Sequence, residues 1–451
     1  MGRWLRLIIA AALIIVVPQL LIGSEMYARI ISIAGLCLFL WISETVPPFV
    51  PTLLLLTLVP LFLAPIDSKF ALSNVLSWAV DPVMALFFGG FVLGAATERN
   101  GLDQRLTQFA LRSSGKSFNS FLLFVIFITA FLSMWMSNIA AAALVLACLQ
   151  PVLKKFEIDN ILRRALLIGV AFGADFGGIA TPIGTGPNAI AIASISATQP
   201  VSFLGWMVFA FPLTIGMLVL ASLFLAWHTQ RHKCDWEQKN GELNDVLHKN
   251  QNRSKSKPSQ IAFMIILSGT ILLWLTEPLH KIPASVVALG SAAAVFLSGI
   301  LTKKDLPKID WSTLLLIAGG ITLGRLLEQS ELLKNLSANV PFADLNPIVS
   351  LFLLCLTSAL LSALMSNTAT VVLLIPLATA LIPSPSTAIL IAVSASFGVA
   401  FIISTPPNAM VFGQGGVRFG DLFRPGIVLM IIGCLIVSLT GRAVLNFAGI
   451  P

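Results

Sequence analysis

Two short stretches of this chain match each other: S-M-W-M-S-N-I-A from Ser133 to Ala140, and S-A-L-M-S-N-T-A from Ser362 to Ala369. Each interrupts a long apolar run, 118–153 in the first case and 347–383 in the second. The Ser-Asn pair leaves halves of roughly 13 to 18 residues, marginal or too short for a bilayer core about 30 Å thick. Irregular backbone at membrane depth is tolerated only where protein buries it or where it lines a cavity. Each run therefore reads as a re-entrant hairpin with its broken tip at a site.

The surrounding chain supplies the membrane. Of 451 residues, 57% are hydrophobic and 11% charged, with mean hydropathy +0.93, which excludes a soluble globule. Apolar runs at 4–22, 29–43, 48–65, 81–98, 163–198 (interrupted), 203–228, 261–277, 283–301, 311–328, 386–414 (interrupted) and 425–447 predict 11 transmembrane helices. The first run has a basic start but no small-residue cleavage site, so it reads as a retained helix rather than a signal peptide.

The net charge of +8 tests the topology. With a cytoplasmic N-terminus, cytoplasmic segments hold all 28 Lys and Arg except Arg29, Lys69, Lys281, Lys334, Arg325 and Arg442. That is the bias the positive-inside rule requires, so the charge orients helices and does not signal nucleic acid. Tryptophans 4, 41, 78, 206, 227, 274 and 311 fall at span ends as an aromatic belt; Trp236, in a loop, and Trp135, beside the first break, are exceptions. The scattered cysteines, Cys37, Cys148, Cys234, Cys355 and Cys434, form no C-x-x-C pair and read as small core residues.

A hydrophilic stretch, 229–260, divides the chain into two repeats. Gly89, Gly90, Gly94 and Glu98 recur as Gly319, Gly320, Gly324 and Glu328, Ser137-Asn138 as Ser366-Asn367, and Thr181-Pro182 as Thr405-Pro406. An odd number of crossings separates the copies, so they lie in opposite orientations, the inverted-repeat plan of secondary transporters. The fold class predicted is an all-α polytopic membrane protein, with 11 spans and two hairpins in an inverted repeat.

At the tips, Ser133 and Ser362 lie one helical turn before the break on the same face. Their hydroxyls, the Asn oxygens and freed carbonyls can form an oxygen cage suited to hard cations. The half-helix that follows offers N–H groups to an anion. The plainer reading is that Ser-Asn caps a helix, which explains one break better than two equivalent ones. A second pair of breaks, T-P-I-G-T-G-P-N (Thr181 to Asn188) and S-T-P-P-N (Ser404 to Asn408), unwinds the interrupted spans. These breaks free the carbonyls of Gly184 and Ser404 and the hydroxyls of Thr185 and Thr405. A proline kink explains either alone, but not why both continue Pro-Asn-Ala.

With these motifs the sequence resembles, over nearly its whole length, the divalent anion/sodium symporter (DASS) family of di- and tricarboxylate and sulfate transporters. The resemblance implies a sodium site from Ser133, Ser137, Asn138 and Gly184, and a second from Ser362, Ser366, Asn367 and Ser404. It implies that Asn138, Thr185, Asn367, Thr368, Thr405 and Pro406 hold the anion. It further implies an elevator movement in a homodimer, sodium as the coupling ion and no organic cofactor. Ile139 departs from the family threonine and removes a donor at one end of the substrate. A C4 dicarboxylate leads, with sulfate, a monocarboxylate, or a proton-coupled or exchanging anion carrier as alternatives.

Several readings remain to be placed. Asp175 is an acid inside the fifth span, a possible proton or cation coupling residue or an acid in a wet cavity. His228, His232 and Cys234 have metal-ligand spacing in a basic loop. Arg325 and Glu328 can pair at i, i+3, and 99–116 reads as a basic interfacial helix. The expected organisation is scaffold helices 1–117, transport domain 118–228, linker 229–260, scaffold 261–345 and transport domain 346–451. The expected site of action is the cell inner (plasma) membrane. No Ser-His, paired-Asp or H-E-x-x-H arrangement lies at membrane depth, so no enzymatic activity is expected.

Overall fold

The computed structural model describes residues 2–43, 45–101, 117–196, 199–230, 236, 258–330 and 346–450. The basic segment beyond residue 101, His232 and Cys234, and most of the 229–260 linker lie outside the described residues. Among the described residues the regular elements are helical. In chain order the first group is α1 (Gly2–Leu21), α2 (Glu25–Ser43), α3 (Val50–Leu63), α4 (Leu72–Ala79) and α5 (Pro82–Asn100). Asp81 breaks α4 from α5, which meet at 44°; its carboxylate accepts from the Val83 N–H at 2.9 Å, with Pro82 in the first turn.

The first hairpin is α6 (Phe118–Ser133) and α7 (Asn138–Leu153), followed by α8 (Ile161–Gly177), α9 (Gly186–Ile195) and α10 (Phe203–Thr229). The second half repeats the order: α11 (Pro258–Leu275), α12 (Ala284–Leu297), α13 (Trp311–Gln329), hairpin α14 (Pro347–Leu364) and α15 (Asn367–Leu381), then α16 (Pro385–Ala395), α17 (Pro406–Gly413) and α18 (Phe419–Phe447). Each arm of the first hairpin has 16 residues, about 24 Å of helix, too short to cross alone. Among the described residues, α2, α10, α14 and α18 are individually long and apolar enough to cross a membrane, and α4 with α5 as a bent pair. Of the other predicted spans, 311–328 is the continuous 19-residue α13, and the rest hold shorter or broken apolar helices.

The helices pack as two bodies. In one, both hairpins lie on the broken helices: α6 and α7 on α8, α14 and α15 on α16, with α10 and α18 against each other. In the other, α5 packs on α12 and α13 on α3. The glycine pairs join the bodies. A Cβ on Gly89 would sit 2.6 Å from Ala288, and one on Gly319 2.1 Å from Thr52 Oγ1, so these two let neighbouring helices touch backbone. Gly90 and Gly320 face the other way, toward Ile183 and Val372 of the hairpin body.

That interface is not symmetric. Gly94 abuts Trp135 and Met136 at the first hairpin tip, whereas its counterpart Gly324 abuts Pro376, well up the second arm of the second hairpin. Ile183, under Gly90, is 7% exposed. Ile403, which lies five residues before Asn408 as Ile183 lies five before Asn188, is 79% exposed. The two repeats thus meet the α5/α13 pair unequally, at the hairpin tip in the first and well up the arm in the second.

Two sequence readings can be placed. Trp236, read as a loop exception, is buried against Phe121 (ring centroids 5.0 Å), Phe118 and Phe156 at the foot of the first hairpin. Arg325 and Glu328 do pair, at 2.9 Å. Large apolar side chains such as Leu20, Leu61, Leu223, Leu272 and Leu297 project outward, as a lipid-facing surface requires.

Outside the spans, Asp305 ties α5 to the segment before α13. It accepts from the Thr302 N–H (3.0 Å) and hydroxyl (2.9 Å) and is paired with Arg99, with Lys308 3.4 Å away. The Thr302 N–H first, then its hydroxyl and the Arg99 guanidinium, hold this carboxyl down at about 2. A depressed carboxyl stabilises the fold above its unfolded value near 4 and loses that contribution as pH falls toward 2. Asp305→Asn should therefore lower the melting temperature in detergent by a few degrees at pH 7, with the difference from wild type closing between about pH 4 and 2. An unchanged melting temperature at pH 7 would remove Asp305 from the stabilising contacts.

Candidate functional site

The hairpin tips form because a serine stops each arm and restarts the chain. Ser137 and Ser366 adopt extended backbone and cap α7 and α15, accepting from Ala140 N–H at 3.3 Å and Ala369 N–H at 3.2 Å. Capping and the oxygen cage coexist, since a hydroxyl oxygen has two acceptor positions. One turn back, the Ser133 hydroxyl lies between two acceptors for its single proton, Asn138 Oδ1 at 2.7 Å and the Ala174 carbonyl at 2.6 Å. Ser362 donates to Asn367 Oδ1 at 2.6 Å. Both serines are fully buried behind the tips.

The broken spans reveal a different register from the one read in the sequence. Thr185 and Thr405 occupy the N-cap positions of α9 and α17, so the structural counterpart of Thr405 is Thr185 and not Thr181. Alignment on the Thr-Pro dipeptide follows a chance match four residues upstream; Thr181 instead donates to the Met134 carbonyl at 2.6 Å, tying the loop to the first tip. The residues that settle the register are Asn188 and Asn408, both fully buried. The Asn188 amide donates to the carbonyls of Gly178 (3.0 Å), Ile179 (3.4 Å) and Thr181 (2.8 Å). The Asn408 amide donates to those of Val399 and Phe401 (2.9 Å each) and to Ser404 Oγ (3.1 Å). Each holds its unwound loop open by satisfying carbonyls the helix has released. No role was assigned to them from sequence, although the repeated Pro-Asn-Ala carried the signal.

Gly184 is required by closeness: a Cβ there would lie 2.2 Å from the Gly178 carbonyl oxygen. Thr368 sits over the start of α9, its hydroxyl 2.6 Å from where a Cβ of Gly186 would be. The Thr405 hydroxyl donates to Asp175 Oδ2 at 2.8 Å, joining the two repeats.

These parts surround one cavity of about 490 Å³. Ser137, Asn138, Ile139, Asp175, Gly184, Thr185, Ser366, Asn367, Thr368, Ser404, Thr405 and Pro406 all line it, so every site residue proposed from sequence faces it or, for Ser133 and Ser362, stands directly behind. The N-termini of α7, α9, α15 and α17 converge there, presenting four positive dipole ends. Ile139, Leu364, Met365 and Ile403 give it an apolar part. Among the described residues lining it, the ionisable side chains are Asp175 and Asp310, both acidic.

A sequence profile of the citrate transporter family (CitMHS) matches residues 38–388 and 346–449. The chain belongs to the citrate transporter family. Among relatives of this family member, the Na(+)/citrate cotransporter of Mus musculus is 25% identical over 97% of this chain and 95% of its own length. The sodium-dependent dicarboxylate transporter SdcS of Staphylococcus saprophyticus is 26% identical over 88% and 82%. The crystal structure of the Alcanivorax borkumensis YdaH transporter shares the fold with a TM-score of 0.55, at 16% identity, over 90% of this chain and 100% of that one. The resemblance to the DASS transporters read from the motifs therefore stands, and the chain is a membrane transporter and not an enzyme.

The buried asparagines are directly testable. Asn408→Asp removes the amide donor from three acceptors and places a carboxyl among carbonyls, so it should cost roughly 1–3 kcal/mol or more in folded stability, read by denaturant unfolding in detergent. Wild-type stability would mean that the loop does not depend on this side chain.

Proposed function

We propose that this transporter carries out sodium-coupled symport of a small divalent anion, most plainly a C4 dicarboxylate such as succinate, malate or fumarate. The observation that carries the reading is the cavity's charge: four helix N-termini attract an anion, yet no basic side chain among its described lining residues neutralises one. An anion stripped of water there needs mobile cations beside it. The oxygen sets at Ser133, Ser137, Asn138 and Gly184, and at Ser362, Ser366, Asn367 and Ser404, suit sodium. The names of the mouse and staphylococcal relatives point the same way. An exchanger with a fixed cation in place of sodium finds no such residue in this lining.

Within this reading, the substrate touches Asn138, Thr185, Asn367, Thr368, Thr405 and Pro406, with Ile139 against its carbon chain. A cavity of about 490 Å³ with an apolar part suits a carboxylate with a carbon backbone better than compact, wholly polar sulfate.

The hairpin body, 118–228 with 346–451, would be the moving transport domain, and 1–117 with 261–345 the scaffold of a homodimer. The unequal glycine contacts support an elevator step. Exchanging the contacts of the two repeats would bring Gly320 onto Ile403 and Gly324 onto Met365. The body would slide by about 10 residues of helix, on the order of 15 Å. The rim at Asp310 and Thr313 follows the basic segment with Lys303, Lys304 and Lys308. With a cytoplasmic N-terminus and 11 crossings in the inner membrane, the cavity therefore opens inward.

In proteoliposomes, an inward sodium gradient should drive accumulation of radiolabelled succinate; equal uptake with potassium or choline would reject symport. Asn138→Ala and Asn367→Ala should each raise the sodium concentration for half-maximal uptake roughly tenfold, the equivalent of about 1.4 kcal/mol. Ile139→Thr should shift selectivity toward succinate over acetate by about fivefold, the effect of one added hydrogen bond near 1 kcal/mol. Unchanged selectivity would remove Ile139 from the substrate's surroundings. In a background without native cysteines, Gly320→Cys with Ile403→Cys should cross-link only during turnover, whereas absence of the link under all conditions contradicts the slide.

A further inference from the structure

We infer that Asp175 holds an additional sodium ion, in a site between the two Ser-Asn cages that the second repeat does not duplicate. The inference rests on the symport reading above and deepens it. Asp175 is 1% exposed and lines the cavity. Its Oδ2 accepts from the Thr405 hydroxyl at 2.8 Å, while Oδ1 has no partner. Thr185 Oγ1, buried in the same cavity, also has none. Ser133 reaches from the first cage to the carbonyl of Ala174, the residue before Asp175, and the Asn138 side chain borders the carboxyl. The free oxygens offered here are a carboxylate and a hydroxyl, hard-cation donors of which one carries a formal charge that the two Ser-Asn cages lack.

The repeat sharpens the point. In the register set by Asn188 and Asn408, the counterpart of Asp175 is Ala395, a fully buried apolar residue. A feature present in one copy alone is not a component of the paired cages. It is also not explained by an ion pair, since no described basic side chain bridges to it or lines this cavity. A carboxylate buried without a countercharge is unfavourable, and next to a divalent anion it is repelled as well.

Charge balance gives the site a function. Two sodium ions neutralise a divalent anion but leave Asp175 charged, so the loaded transport domain would carry one net negative charge through the bilayer, which is costly. A third sodium ion on Asp175 makes the loaded domain neutral. The empty domain then returns with the Asp175 charge alone, and one positive charge enters per cycle. Removing the carboxyl leaves a neutral loaded domain with two ions and an electroneutral cycle.

The test is the ratio of ²²Na to ¹⁴C-succinate flux in proteoliposomes, with an imposed potassium diffusion potential. Wild type should give three sodium ions per succinate and faster uptake under an inside-negative potential. Asp175→Asn should give two, with uptake indifferent to potential, and Asp175→Glu should restore the third ion. A wild-type ratio of two overturns the inference even where the variants do not fold, and leaves symport standing. A ratio of three retained in Asp175→Asn also overturns it. Succinate uptake without any sodium flux instead defeats the symport reading itself.

Discussion

The fold is organised by one electrostatic constraint: four half-helices begin at a common cavity that contains no basic side chain among its described lining residues. Stopping a helix inside a membrane strands its backbone groups, so such ends persist only where something satisfies them. Here the N-terminal N–H groups are capped by Ser137, Ser366 and Thr405, and the carbonyls released upstream are gathered by Asn188 and Asn408. What remains at the cavity is positive potential without a fixed countercharge. Such a site attracts an anion but leaves its charge uncompensated, which makes cation and anion occupancy depend on each other.

The same architecture groups the broken elements together, as the proposed elevator step requires. Hairpins, unwound loops and the helices α10 and α18 pack mainly on one another, while the glycines of α5 and α13 present a smooth face to them. Contacts such as Gly90 with Ile183 fill one repeat, while the matching Ile403 stands open. Two chemically similar surfaces with only one engaged is the condition for a two-position element. The Thr405 to Asp175 hydrogen bond and the seat of Thr368 over Gly186 hold the two repeats together.

Much of this was legible in the sequence because apolar runs make polar interruptions conspicuous. Ser133 with Asn138 and Ser362 with Asn367 sit at helical spacing, and the structure bonds both pairs. The register of the second pair of breaks was misread because Thr-Pro occurs near both loops, whereas the constraint acts through the buried Asn amides, whose carbonyl partners lie up to ten residues away. The burial of Trp236 was not legible because a polar neighbourhood in sequence says nothing about an aromatic pocket supplied by Phe118, Phe121 and Phe156. The unequal glycine contacts of the two repeats were not legible at all, since a repeated sequence predicts symmetry.

The central claim is that cation and anion share one cavity and stabilise each other there. Equilibrium binding of ²²Na and of labelled succinate to the purified full-length protein tests it most directly, each titrated with and without the other. Linkage requires that succinate tighten sodium binding by the same factor by which sodium tightens succinate binding, and the account predicts a factor well above one in both directions. Succinate affinity that is identical in sodium and in choline would contradict it.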